Sequence, residues 1–476
     1  MDKLTPTILV IMGITGDLTA KKVAPALFNL YRKKVLSEKF RIVGFGRREF
    51  TDVTIREYVQ GLVLAKFPDA DQKDLAEFLA LFEYQQGLFE TGESYENLKQ
   101  KLHQIQEGWG EKTNRLFYLA VPPDIYGGIF ENLKSSGLID HPDMEAQTRI
   151  LVEKPFGKDG ETAEKLDMQL GSLFAENKIY RIDQYLAKEM LENILAFRFY
   201  NDSFEKIWNK DFIEKIEIRL WESLGVEKRG AFYDGVGALR DVGQNHLLQM
   251  LALVTMDYPL DFSPAALHLK RAQTLLEVLK PMSEKEIKTQ TYRAQHEGYT
   301  EIDGVKPNST TETYFKVVTV LAGPRWAGVP VIFDGGKRMP GMRKELIVTM
   351  RHPENCFCPP GHHYKNRIIF SIEPIESIVV ELWAKKPGYD QVLEKRTMDF
   401  ILRNSSERIQ YVEEYEKLFL DAILGDQTLF VSTREVKAMW DFIDPIVEAW
   451  QKNAVPLKKY QPDTDQAPQD SLELDN

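Results

Sequence analysis

The sequence contains little cysteine: two residues in 476, Cys356 and Cys358, separated by a single phenylalanine. So close a pair cannot build a disulfide framework, and such scarcity is typical of proteins from a reducing compartment. Residues 1–6 carry no basic, apolar or transit-type leader before the first apolar run. We therefore expect a cytoplasmic protein.

Long apolar runs and an excess of positive charge are also lacking. No stretch approaches the roughly 18 consecutive apolar residues of a membrane span, so no membrane association is expected. Lysine and arginine number 61 against 72 aspartates and glutamates, a net charge of -11, which argues against non-specific nucleic-acid binding. Any affinity for phosphate must come from a local basic cluster.

What the chain does contain is an ordinary globular composition, 43% hydrophobic and 28% charged, at a length that favours two domains. In residues 1–182, strand-like apolar runs alternate with amphipathic helical stretches. The predicted strands are 7–12, 41–45, 115–121 and 148–152, and the predicted helices include 21–31, 55–64 and 124–135. This alternation predicts an α/β fold with a Rossmann-like, doubly wound parallel sheet that binds its ligand at the carboxyl ends of its strands.

Residues 183–460 show a different pattern, with strand-like runs separated by few helices. These runs are 213–220, 313–321, 345–350, 367–372 and 377–383, and a helix at 238–254 precedes most of them. We expect a second, α+β domain with a large, mostly antiparallel sheet. The tail 461–476 is rich in Asp, Gln and Pro, and its composition predicts disorder.

Gly13 and Gly16 follow the first predicted strand and precede the first helix, where glycines let backbone N–H groups approach a pyrophosphate. A plain loop with two glycines would look similar. The second predicted strand leads to Arg47 and Arg48, at the position where enzymes that prefer NAD place a carboxylate. Two guanidinium groups there favour the 2′-phosphate of NADP, although a solvated arginine pair is the alternative.

A second group of candidates follows the strand predicted at 179–183. If residues 183–189 open a helix, Gln184, Tyr185 and Lys188 share one face and could clamp a phosphate. The alternative makes Asp183 the helix N-cap and pairs Lys188 with Glu192 on a solvated face.

The third group is a crowd of polar residues near the apolar helix at 247–254: Asp234, Arg240, Asp241, Gln244, Asn245 and His246. Oxidation of a carbinol needs a base for the hydroxyl proton, and a histidine oriented by a carboxylate suits that role. Spacing leaves open whether Asp183 and His246 meet. Lys154, at the end of a predicted strand, could contact substrate and cofactor or could simply mark a turn.

Five motifs, in this order and spacing, resemble the glucose-6-phosphate dehydrogenase family, and the likeness spans nearly the whole chain. They are residues 13–18, 116–123, 153–157, 181–189 and 240–246, and the strings 366–374 and 384–388 resemble its second-domain sheet. The resemblance implies a cytoplasmic homodimer or homotetramer. It also implies oxidation of a hexose 6-phosphate to a 6-phospho-lactone with formation of NADPH, the entry step of the pentose phosphate pathway, with NAD as a weaker alternative cofactor.

The resemblance also assigns roles to residues. His246 would be the base, Asp183 its orienting carboxylate, and Lys154 a contact to substrate and cofactor. The substrate would be held by Gln184, Tyr185, Lys188, Glu222, Asp234, Lys337 and Arg343. The cofactor would be held by Gly13, Thr15, Gly16, Asp17, Leu18, Lys22, Arg47 and Arg48, together with Lys154.

One departure concerns the phosphate. The family's motif has His and Gly where this chain has Gln184 and Ala187, and glutamine cannot carry the charge of an imidazolium. The loss would weaken substrate binding by about 1.5 to 3 kcal/mol. Two rivals follow: the same chemistry on a different or unphosphorylated sugar, and a catalytically weak paralog that binds sugar phosphate or NADPH.

Residues 352–363 gather Cys356 and Cys358 with three histidines, a set that could suggest zinc. Structural zinc sites space paired cysteines two to four residues apart, which this pair does not. We expect a proline-rich loop between two strands, and no metal.

Overall fold

The computed structural model describes residues 5–139, 147–352, 364–402 and 412–472. By their internal contacts, the residues form two units. The first comprises Met1–Ala187, Ser263–Ala265 and Val412–Thr433, and the second Lys188–Phe262, Ala266–Tyr411 and Arg434–Asn476. The division therefore falls close to the predicted boundary, but the first unit also includes a segment from late in the chain that the sequence did not indicate.

The strands are numbered in chain order: β1 (Thr7–Met12), β2 (Phe40–Gly46), β3 (Phe82–Gln86), β4 (Asn114–Leu119), β5 (Thr148–Glu153), β6 (Ile179–Ile182), β7 (Ile213–Trp221), β8 (Thr291–His296), β9 (Tyr314–Val320), β10 (Pro330–Gly336), β11 (Arg343–Met350), β12 (Arg367–Glu373), β13 (Ser377–Lys385), β14 (Leu393–Ile401), β15 (Phe430–Val431) and β16 (Leu457–Tyr460). The helices are α1 (Ala24–Arg32), α2 (Asp52–Lys66), α3 (Gln72–Leu79), α4 (Gly92–Trp109), α5 (Tyr126–Ser135), α6 (Gly160–Gly171), α7 (Glu189–Phe199), α8 (Asp202–Lys206), α9 (Gly230–Tyr233), α10 (Leu248–Thr255), α11 (Pro264–Val278), α12 (Glu284–Gln290), α13 (Glu414–Leu424), α14 (Thr433–Gln451) and α15 (Gln466–Asp470).

The first unit is built on a sheet of order β15-β6-β5-β4-β1-β2-β3. All neighbours are parallel except β15, which runs antiparallel to β6. Every residue of β1 is buried, as its continuous apolar run requires in a sheet covered on both faces. The strand order reverses between β1 and β4, and ligands of such sheets bind outside the carboxyl ends at that point. The predicted parallel sheet is confirmed.

The second unit contains a sheet of order β14-β13-β12-β11-β7-β10-β9-β8-β16. Only the pairs β7–β10 and β8–β16 are parallel, so the predicted, mostly antiparallel sheet is also confirmed. These directions bring the carboxyl ends of β7, β10 and β12 and the start of β11 to one edge. The candidate substrate residues lie along that edge.

Two predicted segments differ from the structure. The helix expected at 238–254 consists of a wider, π-type stretch, Leu239–Leu247, followed by α10. The tail is not disordered over residues 461–472: Ala467 is fully buried, and Asp463 forms an ion pair with Arg338 at 2.5 Å. Composition fails here because a few contacts anchor an otherwise polar segment: besides Ala467 and the ion pair, Leu472 packs against a hydrophobic cluster that includes Tyr460, and Gln461 donates to Glu297 at 2.6 Å.

Within the described ranges, no helix combines the length and the apolar character needed to cross a membrane.

Candidate active site

The turn after β1 requires glycine at its first position. Gly13 has φ +87, and a Cβ there would lie 2.6 Å from the carbonyl oxygen of Ala120 and 2.6 Å from a methyl carbon of Val121. The Gly13 carbonyl then accepts a hydrogen bond from Gly16 N at 2.9 Å, which closes the turn. The Gly13 backbone therefore lies against the residues that directly follow β4, at the point where the strand order reverses.

The other residues expected to bind cofactor continue along this turn. Thr15, Gly16, Asp17 and Leu18 follow directly, and Lys22 lies in the π-type turn Thr19–Val23 that precedes α1. Asp17 is exposed, and its carboxylate lies 3.6 Å from the Lys21 ammonium. The structure thus brings these residues together at the carboxyl end of β1, where a backbone cradle and a helix N-terminus suit a dinucleotide pyrophosphate.

Arg47 and Arg48 follow β2 and are exposed. The backbone of this loop is held by the Tyr84 hydroxyl, which contacts the carbonyl oxygens of Gly46 and Arg48 at 2.7 Å each. Neither guanidinium forms an ion pair with a carboxylate in the part of the chain that the structure describes. Both are therefore available to an anionic group next to β2.

At the end of β5, Lys154 is half-buried and follows a carboxyl group that sequence reasoning left without a role. One oxygen of Glu153 accepts hydrogen bonds from the hydroxyls of Tyr118, at 2.7 Å, and Tyr415, at 3.1 Å. Burial raises the pKa of Glu153 to about 7, although the two hydroxyls and Lys154 lower it and Asp183 raises it further. Tyr415, which donates to the Glu153 carboxyl, lies far away in sequence, so no local pattern could have indicated that Glu153 is part of the site.

Residues 183–188 form a turn, and the predicted helical face for Gln184, Tyr185 and Lys188 is wrong. A carboxylate oxygen of Asp183 accepts a hydrogen bond from Tyr185 N at 3.0 Å, which closes a turn directly after β6. Lys188 has φ -74 and ψ 129, outside the helical region, and α7 begins at Glu189. Aspartate favours such turns because its side chain competes for nearby backbone N–H groups.

Lys188 is 8% exposed, so the alternative of a solvated face is wrong as well. Its ammonium lies 2.8 Å from one carboxylate oxygen of Glu373. The other oxygen of Glu373 lies 2.7 Å from the ammonium of Lys344. Two buried lysines therefore share one carboxylate at the end of β12, a contact that the sequence did not predict.

A second cluster lies at the same sheet edge and is built by the parallel pairing of β7 and β10. Glu222 follows β7 and Lys337 follows β10, and Glu222 N donates to the Gly336 carbonyl at 2.9 Å. The Lys337 ammonium lies 2.6 Å from Glu222 and 3.2 Å from Asp241. Burial lowers the pKa of Lys337, but Asp241 and Glu222 outweigh it and raise the pKa overall, so the ammonium stays charged.

Asp234 does not join this cluster. Its carboxylate accepts hydrogen bonds from the hydroxyls of Ser309 and, at 3.1 Å, Thr311, and from Lys306 N at 3.3 Å. Burial would raise the pKa of Asp234, but these hydrogen bonds lower it. Asp241, a residue to which the sequence analysis gave no role, contacts Lys337 instead.

Arg343 is the first residue of β11 and pairs with Trp221, the residue before Glu222. Its guanidinium lies 5.3 Å from the centre of the Trp221 ring. The side chain is half exposed, at 54%, and its ion pair with Glu345 is long, at 3.9 Å. Arg343 therefore lies at the candidate edge, more open to solvent than Lys337.

His246 is 2% exposed and lies in the stretch Leu239–Leu247. Hydrogen bonds of a π-type turn join residues five apart, so Asp241 and His246 lie on the same side of this helix. Such turns are frequent at functional sites. Asp183 belongs to the first unit and His246 to the second, and their pairing stays a prediction.

Residues 353–363, which contain both cysteines, lie outside the described residues. Among the described residues, no group of three or more His, Cys, Asp and Glu side chains could hold a metal ion.

A doubly wound sheet with a glycine turn at its switch point, followed by a unit with a large antiparallel sheet, defines a class of nicotinamide-dinucleotide-dependent oxidoreductases. The chain belongs to the glucose-6-phosphate dehydrogenase family. The family model for the NAD binding domain of glucose-6-phosphate dehydrogenase matches residues 10–193, and the model for its C-terminal domain matches residues 195–474.

Individual relatives agree over most of the chain. It is 36% identical to glucose-6-phosphate 1-dehydrogenase of Chlamydia muridarum, with 94% of this chain and 91% of the relative aligned. Against the Aggregatibacter actinomycetemcomitans enzyme it is 38% identical, over 92% and 90%. A solved glucose-6-phosphate dehydrogenase in complex with its substrate glucose-6-phosphate matches with a TM-score of 0.87 and 31% identity, over 97% of this chain and 96% of that one.

Proposed function

We propose that the protein oxidises D-glucose 6-phosphate at C1 to 6-phosphoglucono-1,5-lactone, with NADP as hydride acceptor, as the first oxidative step of the pentose phosphate pathway. The observation that carries this proposal is the cluster of Lys337 between Glu222 and Asp241, with His246 on the same helix as Asp241. The names of the relatives, and the substrate in the matching solved structure, support the choice of sugar.

The cluster suits a sugar because it offers acceptors and a donor that are already oriented. Glu222 and Asp241 accept hydrogen bonds from sugar hydroxyls, and Lys337 donates to a hydroxyl or ring oxygen while remaining charged. We assign to Asp241 the role that the family resemblance implied for Asp234, and Arg343 extends the donor set at the rim. Preorganised groups of this kind orient the substrate without further reorganisation.

The proton step belongs to His246, which accepts the proton of the C1 hydroxyl. Asp183 orients the imidazole and stabilises its charged form, and Lys154 holds the reacting hydroxyl near the cofactor. A bound nicotinamide cofactor would supply the acceptor for the hydride that leaves C1. Tyr185, Lys188 and Gln184 hold the 6-phosphate.

The cofactor preference rests on Arg47, with Arg48 beside it. The residues fit NADP because the glycine turn leaves backbone N–H groups for the pyrophosphate and the arginines offer charged donors for the 2′-phosphate. Arg47→Ala should weaken NADP binding by about 1.5 to 3 kcal/mol and leave NAD binding nearly unchanged, because only NADP loses a charge-assisted hydrogen bond. Fluorescence titration of both cofactors measures this, and equal losses for the two would contradict the role of Arg47.

The proposed function as a whole is tested by initial rates on glucose 6-phosphate, galactose 6-phosphate, glucosamine 6-phosphate and glucose, each with NADP and with NAD. We expect the highest kcat/KM for glucose 6-phosphate with NADP. A higher value for glucose would favour the rival that acts on an unphosphorylated sugar, and binding without turnover would favour the weak paralog.

We also propose a homodimer or homotetramer located in the cytoplasm. The scarcity of cysteine supports the compartment, and the name of an Arabidopsis thaliana relative, 34% identical, describes it as cytoplasmic.

A further inference from the structure

The lysine proposed to bind the substrate phosphate is already paired with an acid. Glu373 lies 2.8 Å from Lys188 through one oxygen and 2.7 Å from Lys344 through the other. The side chains are 8%, 10% and 23% exposed for Lys188, Lys344 and Glu373, so solvent screens these contacts only in part. Any anion that binds Lys188 must therefore approach the Glu373 carboxylate closely.

The fold fixes this arrangement rather than leaving it to flexible side chains. Lys344 and Glu373 stand directly opposite each other in the antiparallel pairing of β11 and β12, and Lys188 immediately precedes α7. Burial would raise the pKa of Glu373, but its hydrogen bonds to Lys188 and Lys344 and their charges lower it. The carboxylate therefore stays ionised at neutral pH.

We propose that Glu373 is a specificity-determining residue of the 6-phosphate subsite. Its carboxylate competes with the substrate phosphate for Lys188 and so reduces the preference for phosphorylated over free sugars. This inference rests on the proposed function. Two lysines and one glutamate leave a single net positive charge for a phosphate that carries nearly two negative ones. Gln184 adds no charge and Glu373 adds repulsion, so the subsite attracts a phosphate less strongly than its two lysines alone would.

The test replaces Glu373 with its neutral isostere and compares two sugars that differ only in the phosphate. We expect E373Q to lower the KM for glucose 6-phosphate by about tenfold. In a partly buried site, the repulsion between two like charges a few ångströms apart is larger than the energy that a tenfold change in affinity requires. The KM for glucose should not change. Inorganic phosphate, used as a competitive inhibitor of glucose oxidation, should bind E373Q more tightly than the wild type by a similar factor.

A matched control is available in the same sheet. Glu381 lies on β13, is buried and also contacts two cations, Arg367 at 2.5 Å and Lys395 at 2.9 Å. Glu381→Gln removes the same charge from a comparable ion-pair cluster that contains no proposed phosphate ligand. We expect it to leave the ratio of the two KM values at the wild-type level.

An unchanged or higher KM for glucose 6-phosphate in E373Q, or equal changes for both sugars, would overturn the inference, because Glu373 would then only hold Lys188 in place. Absence of any oxidation of glucose 6-phosphate by both wild type and variant would overturn the proposed function, and this inference with it. If E373Q does not unfold cooperatively on heating, Glu373→Asp replaces it. That variant withdraws the carboxylate by one methylene, and we expect a smaller fall of the same KM.

Discussion

His246 is the residue on which the proposed reaction depends most directly, because imidazole has an ordinary pKa near neutrality and so suits a general base. His246→Asn keeps the size and a hydrogen-bonding amide but removes the base, and we expect kcat to fall about a hundred- to ten-thousandfold. Substrate binding should change little, since the base acts mainly in the transition state. Steady-state kinetics and substrate titration separate the two effects.

Asp183→Asn serves as the comparison for His246. It disturbs the orientation of the imidazole and leaves the basic nitrogen in place, so we expect a smaller loss of kcat. A larger loss at Asp183 than at His246 would reverse the two roles, and near-normal turnover of His246→Asn would remove the histidine from the reaction.

Gln184 is the residue where the family resemblance is weakest. If Tyr185 and Lys188 bind the phosphate, Gln184→His should restore a charge-assisted contact and lower the KM for glucose 6-phosphate by about tenfold, while glucose is unaffected. The gain should grow as the pH falls toward about 6.5, the ordinary pKa of imidazole, because only the protonated ring adds charge. KM measured against pH for both sugars tests this. Improvement with glucose alone would mean that the subsite no longer recognises phosphate.

At the scale of secondary structure elements, the end of β5 shows how a fold changes the chemistry of one group. Burial holds the pKa of Glu153 at about 7 against 4.5 for a free glutamate. The folded protein therefore binds more protons than the unfolded chain between these values, and its stability falls as the pH rises through that window. Glu153→Gln keeps the acceptor for Tyr118 and Tyr415 and removes the titration.

We accordingly expect Glu153→Gln to gain stability over the wild type as the pH increases, by on the order of 1 to 3 kcal/mol at about pH 8, and to gain little at about pH 4.5. Because the Glu153 side chain is only half-buried, we expect a gain in stability smaller than its full pKa shift would give. Denaturant unfolding of both proteins across this pH range measures the difference. Glu131→Gln, at an exposed position on α5, is the control. A difference that does not depend on pH would contradict the elevated pKa.

The elements also show which structural features a sequence can predict. The strands β1, β2, β4, β5, β6, β7, β9, β11, β12 and β13 were found within a few residues because each has an apolar or alternating run. By contrast, β8 reads Thr-Tyr-Arg-Ala-Gln-His and was missed, although all its residues are buried. Its polar groups are satisfied by distant backbone: Arg293 donates to the Val455 carbonyl at 2.9 Å and Gln295 to the Thr311 carbonyl at 2.8 Å. No local pattern encodes such partners.

The sequence also pointed to only part of the candidate substrate cluster. Glu222 and Lys337 came from the family resemblance, and the pairing of β7 with β10 explains why they lie together. The resemblance named Asp234 for the sugar hydroxyls, whereas the carboxylate that contacts Lys337 in the structure is that of Asp241. Glu373 was missed because cross-strand register brings it to Lys344.

At the scale of the whole molecule, the first unit depends on a segment far away in sequence. β15 pairs with β6, and Glu416 on α13 contacts Asn29 and Lys33 at 2.6 Å each. Arg149 also donates to the carbonyl oxygens of Ala422 and Ile423 at 2.9 Å. Contacts such as that between Arg149 and Ala422, which are 273 residues apart, cannot be read from periodicity, so the predicted continuous domain 1–182 lacked this part.

The proposed oligomer is best tested at the outer strand of the second sheet. β14 is an edge strand, and its Met398 and Phe400 are 57% and 60% exposed. They pair with Val380 and Ile378 of β13, so they lie on the face that Ile378 shares with buried Phe370. An apolar face that is covered over the inner strands and open at an edge strand is typical of a surface that self-associates.

Replacement of Phe400 by lysine places a charge on this face, and we expect it to weaken self-association by at least about 2 kcal/mol, roughly thirtyfold, as for a residue central to an interface. Sedimentation velocity over a range of protein concentrations should show the wild type as a dimer or tetramer and the variant shifted toward monomer. Leu260→Lys, at a residue 95% exposed elsewhere in the same unit, controls for the added charge and should leave the distribution unchanged. A monomeric wild type at micromolar concentration would refute the oligomer itself, whereas an intact oligomer in the Phe400 variant would place the interface on another surface.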